Sequence, residues 1–167
     1  MRPLHRAAVW FAPLLVVANC TGAPGATQIT RTAPPDVVAP EVSRAGSGAL
    51  TCLAEAIYFE ARGTGATGES AVAHVVVNRT KSPKFPNSVC GVVSDGCQFS
   101  YRCDGRPEAL ADPRARSHAF KIAEAVLSGA PDITQGALFF HSARAAPGSW
   151  FNSRPRIGTF GGNVFYR

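Results

Sequence analysis

The chain has 167 residues, 46% of them apolar and 17% charged, with a formal charge of +6. That length holds one folded domain with extensions rather than two full domains, and the apolar share excludes a wholly disordered chain. No apolar run reaches the roughly 18 residues of a confident membrane span, and no internal period of solenoid length occurs.

Arg2, His5 and Arg6 precede an apolar stretch from Ala7 to Ala18, the layout of a secretory leader too short to span a bilayer. Residues 1–20 are expected to be a signal peptide, cleaved between Cys20 and Ala26, where small residues cluster. Val17-Ala18-Asn19-Cys20 resembles a lipobox, so lipidation of Cys20 is the alternative exit and the one expected route to a membrane. Losing Arg2 and Arg6 lowers the charge from +6 to +4. A basic surface favours anionic partners, but this reduction weakens the case for nucleic acid, and none is expected. Residues 21–48 mix Pro24, Pro34, Pro35 and Pro40 with Ala, Gly, Ser and Thr, and read as a linker. The folded domain is expected over residues 49–167, in an exported monomer of the periplasm or cell envelope.

Removing or lipidating Cys20 leaves Cys52, Cys90, Cys97 and Cys103, an even number. In an exported chain these read as two disulfides. Cys97 and Cys103 enclose a short loop and are paired, which leaves Cys52 for Cys90. A zinc site is disfavoured because the spacings lack close Cys-x-x-Cys pairs, and no metal or other cofactor is expected.

Leu53, Ala56, Ile57 and Glu60 follow the i, i+3, i+4, i+7 rule, so residues 50–62 read as a helix ended by Gly63. Residues 69–79, apolar nearly all round, read as a second, buried helix; the run Val75-Val76-Val77 leaves a strand as the alternative. Residues 91–107 read as a disulfide-stapled loop. Asp112 as N-cap, Pro113 at the first helical position and Gly129 after the last turn delimit a further helix. Strand-like runs follow at 137–141, 156–160 and 163–166, the last two joined by the hairpin signal Gly161-Gly162. Helices followed by a small antiparallel sheet make the class α+β.

Glu60 breaks two local rules. It occupies the face of its helix that should be apolar, and it sits in the last turn, where the helix dipole disfavours a carboxylate. Both effects raise a carboxyl pKa, which is what a general acid near neutral pH requires. An ion pair with Arg62 is the structural alternative. Glu55 lies on the opposite face and reads as a solvated charge. His74 reads as a core histidine and His118 as a surface one, while His141, beside Phe139 and Phe140, is a candidate substrate contact. Asp95 and Asp104 are candidates for a second carboxylate or for ordinary loop caps. The loop aromatics Phe99, Tyr101, Trp150 and Phe151 are of the type that stacks on sugar rings or lids a core.

The segment Cys52-Leu-Ala-Glu-Ala-Ile-Tyr-Phe-Glu-Ala-Arg-Gly63 resembles the opening motif of the cell wall hydrolases related to the spore cortex-lytic enzyme SleB. The similarity continues through Gly68-Glu69-Ser-Ala-Val-Ala, Val77-Asn78-Arg79, Ser82-Pro83-Lys84-Phe85-Pro86-Asn87, Gly91-Val92-Val93 and Gln98-Phe99-Ser100. It ends with Ala137-Leu138-Phe139-Phe140-His141, Arg154-Pro155 and Asn163-Val164-Phe165-Tyr166-Arg167. Two positions depart from the family pattern: Thr64 stands where the family has Glu, and Asn163 where it has His. The resemblance implies a lysozyme-like domain that acts on peptidoglycan, cutting between N-acetylmuramic acid and N-acetylglucosamine as a lytic transglycosylase. It places the catalytic glutamate at Glu60. Gln98, Phe99, Ser100, Tyr101, His141 and Trp150 are the expected lining of the glycan groove. Two other readings stand beside it: a zinc- or cysteine-dependent peptidoglycan amidase or peptidase, and a non-catalytic wall-binding lipoprotein.

Overall fold

The computed structural model describes residues 42–167, with side chains from Gly46 onward; the expected leader, Cys20 and most of the expected linker lie outside these. The elements in chain order are α1 (Val42–Ala61), α2 (Gly65–Thr80), α3 (Val89–Val93), α4 (Pro113–Leu127), β1 (Phe139–Ser142), β2 (Arg156–Phe160) and β3 (Asn163–Tyr166). Short 3₁₀ turns lie at Ser100–Cys103 and Ser149–Ser153.

Helices α1, α2 and α4 pack on one another, and small side chains let them come close. Ala54, Ala56, Ala61, Ala71, Ala73, Ala119 and Ala123 are buried at these contacts, and Leu53, Ile57, Val72, Val75 and Val76 fill the spaces between them. Val75 and Val76 therefore belong to a helix, not a strand. Burial on both sides of α2 matches its near-uniform apolar character. Helix α4 carries the expected punctuation: the Asp112 carboxylate accepts from the N–H groups of Arg114 and Ala115 (2.9 and 3.1 Å), and Pro113 opens the helix.

The sheet is antiparallel in the order β1-β3-β2. Its middle strand β3 is buried along its whole length and presents Phe165 to the core. His141 faces Val164 across the β1–β3 pair. Gly161 and Gly162, both at positive φ (56° and 80°), make the turn from β2 to β3. Gly161 also meets the start of α2: a Cβ there would come 2.5 Å from Gly68 Cα. A bulge between Arg156 and Gly158, which sequence pattern does not announce, shifts the β2–β3 register.

Strand β1 runs Phe139–Ser142 rather than 137–141, and three larger differences from the sequence expectations concern the helices. Helix α1 begins at Val42, so residues 42–48 of the expected linker are its first turns. Gly46 and Gly48 lower local helix propensity and hid this start. Helix α2 begins at Gly65 rather than Glu69. The stretch read as a stapled loop contains α3, begun by Ser88, whose hydroxyl accepts from Gly91 N–H. At five residues it is too short for periodicity to announce it.

The disulfides are Cys52–Cys90, which joins α1 to α3, and Cys97–Cys103, which closes the loop between α3 and the first 3₁₀ turn.

Candidate active site

Glu60 stands in the last turn of α1, half-buried. Its pKa is raised above the ordinary carboxyl value because burial penalises the charged form. Two groups oppose that effect without overcoming it: the backbone N–H of Ser100, which donates to the carboxylate, and the positive charge of Arg79. The site thus favours the acid form yet holds a donor and a cation ready for the base form.

Arg79 comes from the end of α2 and is buried. Its Nε donates to the Leu138 carbonyl at 2.8 Å. Its guanidinium lies 4.9, 5.6 and 6.0 Å from the ring centroids of Phe85, Phe99 and Phe139. Burial lowers its pKa to about 10, opposed by the charges of Asp95 and Glu60, so it remains a cation at neutral pH. Arg62 does not pair with Glu60; it donates to Tyr58 Oη at 3.0 Å and covers that ring. The cation beside Glu60 is therefore Arg79, which sequence reading passed over. A basic residue in a helix's last turn has an ordinary explanation in the helix dipole.

The residues expected to line the groove divide. Phe99 and Tyr101 point inward, 1% and 7% exposed. Phe99 packs under Arg79, and Tyr101 stacks on Phe59 with centroids 4.5 Å apart. Neither is free to stack on a sugar; the disulfide-closed loop folds onto the domain and takes its aromatics with it. What these two do is fix Ser100, whose N–H meets Glu60. Gln98 is exposed and donates to Asp95 Oδ2 at 3.2 Å. Tyr101 also edges a small cleft of about 190 Å³ with Phe59, Asp104 and Arg106. Burial and the Glu55 carboxylate push its pKa far up, so it stays a neutral phenol.

His141 and Trp150 lie on a second group of aromatics, connected to Arg79 through Phe139. The Trp150 ring meets Phe139 edge-on at 4.8 Å and Phe151 at 5.0 Å, and remains 48% exposed. Phe151 leans on His141 at 4.8 Å. His141 is held by Tyr166 Oη at 3.0 Å and the Ser142 carbonyl at 2.8 Å. Arg154 lies over both Phe139 and Trp150, 4.0 and 3.5 Å from their centroids. The result is a wall of rings and two guanidinium groups that begins beside Glu60 and ends at an exposed indole.

Several other described carboxylates have partners of their own. Glu55 is not a free solvated charge: it pairs with Arg102 at 3.0 Å. Glu69 pairs with His118, tying α2 to α4. Burial opposes ionisation at Asp132, but donors outweigh it: Thr134 Oγ1 (2.6 Å), Asn78 Nδ2 (2.9 Å) and the N–H groups of Gly136 and Thr134 (both 2.8 Å) hold its pKa at about 2. His74 sits buried between the carbonyls of Ser70 and Ala130, in contact through its two ring nitrogens. Cys52, Cys90, Cys97 and Cys103 are all disulfide-bonded and supply neither thiolate nucleophile nor metal ligand. Among the described residues, no group of three or more His, Cys, Asp and Glu is arranged to hold a metal ion. A cavity of about 600 Å³ lies between Leu50 and α4, lined by Leu110, Phe120 and Lys121, and none of the predicted site residues borders it.

These features define a small helical domain with one half-buried, unpaired-by-carboxylate acid at the end of a helix, beside an aromatic wall. The family model for cell wall hydrolases matches residues 63–166, and the chain belongs to that family; Glu60 lies just outside the matched span. The spore cortex-lytic enzymes of Bacillus subtilis and Halalkalibacterium halodurans are each 36% identical to it, over 118 and 116 residues. Each match covers 70% of this chain but only 36% and 34% of the relative, so the chain spans about a third of their length. The fold is similar to the catalytic domain of the germination-specific lytic transglycosylase SleB from Bacillus anthracis, with a TM-score of 0.62 at 32% identity, covering 71% of this chain and 93% of that one. It is likewise similar to the catalytic domain of Bacillus cereus SleB, with a TM-score of 0.60 at 29% identity, covering 72% and 91%.

Proposed function

We propose that this protein cleaves peptidoglycan glycan strands between N-acetylmuramic acid and N-acetylglucosamine, as a lytic transglycosylase with Glu60 as its one acid and base. The observation that carries this is the setting of Glu60: burial raises the carboxyl pKa, while Ser100 N–H and Arg79 stand beside it as donor and cation for its conjugate base. The kinship with a lytic transglycosylase catalytic domain supports it.

Protonated Glu60 donates to the glycosidic oxygen as the bond from C1 of muramic acid breaks, through an oxocarbenium-like transition state. The departing sugar leaves with that proton as its new hydroxyl. Arg79 and Ser100 N–H stabilise the carboxylate formed. The C6 hydroxyl of the same muramic acid then attacks C1, and Glu60 takes its proton. The product is a 1,6-anhydro sugar, and Glu60 is again an acid. A glycosidase that uses water or a covalent intermediate needs a second carboxylate. Here the nucleophile belongs to the substrate, and its effective molarity replaces an activated water.

Trp150 and His141 serve as the sugar-facing end of the aromatic wall. An indole exposed on one face and backed by other rings suits the apolar face of a pyranose. Such a substrate lies outside the cytoplasm. The basic head and apolar stretch of residues 1–20 act as the export signal, and residues 21–41 tether the domain to its leader or, through Cys20, to a lipid. Mass spectrometry of the soluble products from purified sacculi tests the reading: anhydro-muropeptides support it, and peptides released from intact glycan would replace it with an amidase or peptidase.

A further inference from the structure

Arg154 brings to the aromatic wall a charge that the reaction above does not use. Its backbone is fixed on both sides: its N–H donates to the Phe151 carbonyl at 3.1 Å, and the next carbonyl, of Pro155, accepts from Arg167 N–H at 3.0 Å. Its guanidinium contacts two rings, Phe139 and Trp150, at 4.0 and 3.5 Å. The residue is half-buried, and its Nε is fully covered without a hydrogen-bond acceptor. No carboxylate among the described residues pairs with it; the ion pairs of the domain belong to Arg102 and His118. Arg79 differs, because Leu138 and the charges of Glu60 and Asp95 already engage it.

A guanidinium covered by rings loses water from its faces but keeps an in-plane fork of donors. That fork matches a carboxylate in two parallel hydrogen bonds. Neutral sugar hydroxyls match it less well, and they do not compensate a positive charge that lies partly out of water. Resting on the glycan-cleaving reading above, we propose that Arg154 is a specificity-determining residue that binds a carboxylate on the muramic acid side of the substrate. Two sources carry this chemistry: the lactyl carboxylate of a bare muramic acid, and the free carboxylates of the peptide stem attached to it. Trp150 then has two tasks, one face for sugar and one face to hold Arg154 in place.

The test compares the full chain and Arg154→Gln on two substrates, native sacculi and sacculi whose carboxylates have been amidated with carbodiimide and ammonia. Binding is read by co-sedimentation and cleavage by release of soluble products. On native sacculi, Arg154→Gln is expected to weaken binding roughly tenfold, the size of one charge-assisted hydrogen bond, with the loss in KM rather than kcat. Amidation should weaken the parent protein by a similar factor and leave the variant nearly unchanged. Equal losses for the variant on both substrates would make Arg154 only a staple of the wall and overturn the inference, as would unchanged binding of the parent protein to amidated sacculi. That last arm needs no variant and stands even if Arg154→Gln folds poorly; Arg154→Lys, which keeps charge without the fork, should retain part of the binding. Glycan strands stripped of peptide by an amidase assign the source. In native sacculi the attached stem holds the lactyl group as an amide, so the native effect reports stem carboxylates; a tenfold effect on stripped strands shows that the freed lactyl carboxylate is bound as well, and its absence there confines recognition to the stem. Binding that follows this pattern without release of any glycan product would contradict the proposed reaction while upholding Arg154.

Discussion

Glu60 is subject to opposing influences, and their order determines what it can do. Burial dominates and raises the carboxyl pKa; Arg79 and the Ser100 N–H act in the other direction and are weaker. Glu60→Gln removes the proton to be donated while keeping the shape, and activity should fall by at least about 10²–10⁴-fold. A carboxyl with a raised folded pKa gives stability that is present at low pH and lost as pH rises through that value. The variant should therefore melt no lower than the parent protein at neutral pH, and a lower melting temperature would show that the carboxylate is a structural ion-pair member. Arg79→Gln removes an influence that lowers the Glu60 pKa, so the alkaline limb of the pH–rate profile should move upward while the rate falls. Trp150→Ala should raise KM with little change in melting, because the indole is 48% exposed; a large drop in melting temperature with unchanged KM would make it a packing residue. At this scale the sequence was informative where a residue broke a rule and silent where it obeyed one. Glu60 stood out as a charge on an apolar face. Arg79 did not, since a helix end accommodates a cation, and its burial depends on Phe85, Phe99 and Phe139 from three other segments.

Elements place these residues, and the disulfides hold the elements. Cys52 lies two turns before Glu60 on α1, and its bond to Cys90 fixes that helix against α3. Replacing both cysteines with serine should lower stability by about 2–5 kcal/mol and reduce activity, because α3 leads directly into the loop that presents Ser100. Full activity at unchanged melting temperature would show the link to be dispensable. The Asp132 cluster acts similarly between α2 and the approach to β1. Its folded pKa is depressed to about 2, so its contribution is complete above the unfolded value near 4 and is lost as pH falls from there toward 2. Asp132→Asn should cost about 1–2 kcal/mol at pH 7, after allowance for solvent at this half-buried site, and the deficit should shrink in acid; urea melts at pH 7 and pH 3 measure it. Elements with chemical punctuation were legible before the structure. Asp112-Pro113 and Gly161-Gly162 state their roles through a cap and a turn. Helix α3 was not, because five residues are too few to show a period; nor were the β2 bulge and the inward turn of Phe99 and Tyr101, because these depend on contacts with distant residues rather than on local pattern.

In the folded domain several elements converge on Glu60. The fold brings the end of α1, the end of α2 and the disulfide-closed loop to one carboxyl, and extends an aromatic wall from it to Trp150. The family resemblance was readable from motifs in order along residues 50–167, and the matching family model and SleB catalytic domains agree with it. The packing of the wall, which joins motifs far apart in the chain, was not readable from any one of them. On the proposed reading, one acid, Glu60, drives an intramolecular cleavage. The most direct measurement is mass spectrometry of the soluble fragments released from purified sacculi by the parent protein and by Glu60→Gln, run side by side. The parent protein is expected to release fragments ending in 1,6-anhydromuramic acid, and the variant almost none. Anhydro fragments released by Glu60→Gln at a near-native rate would show that Glu60 is not the acid.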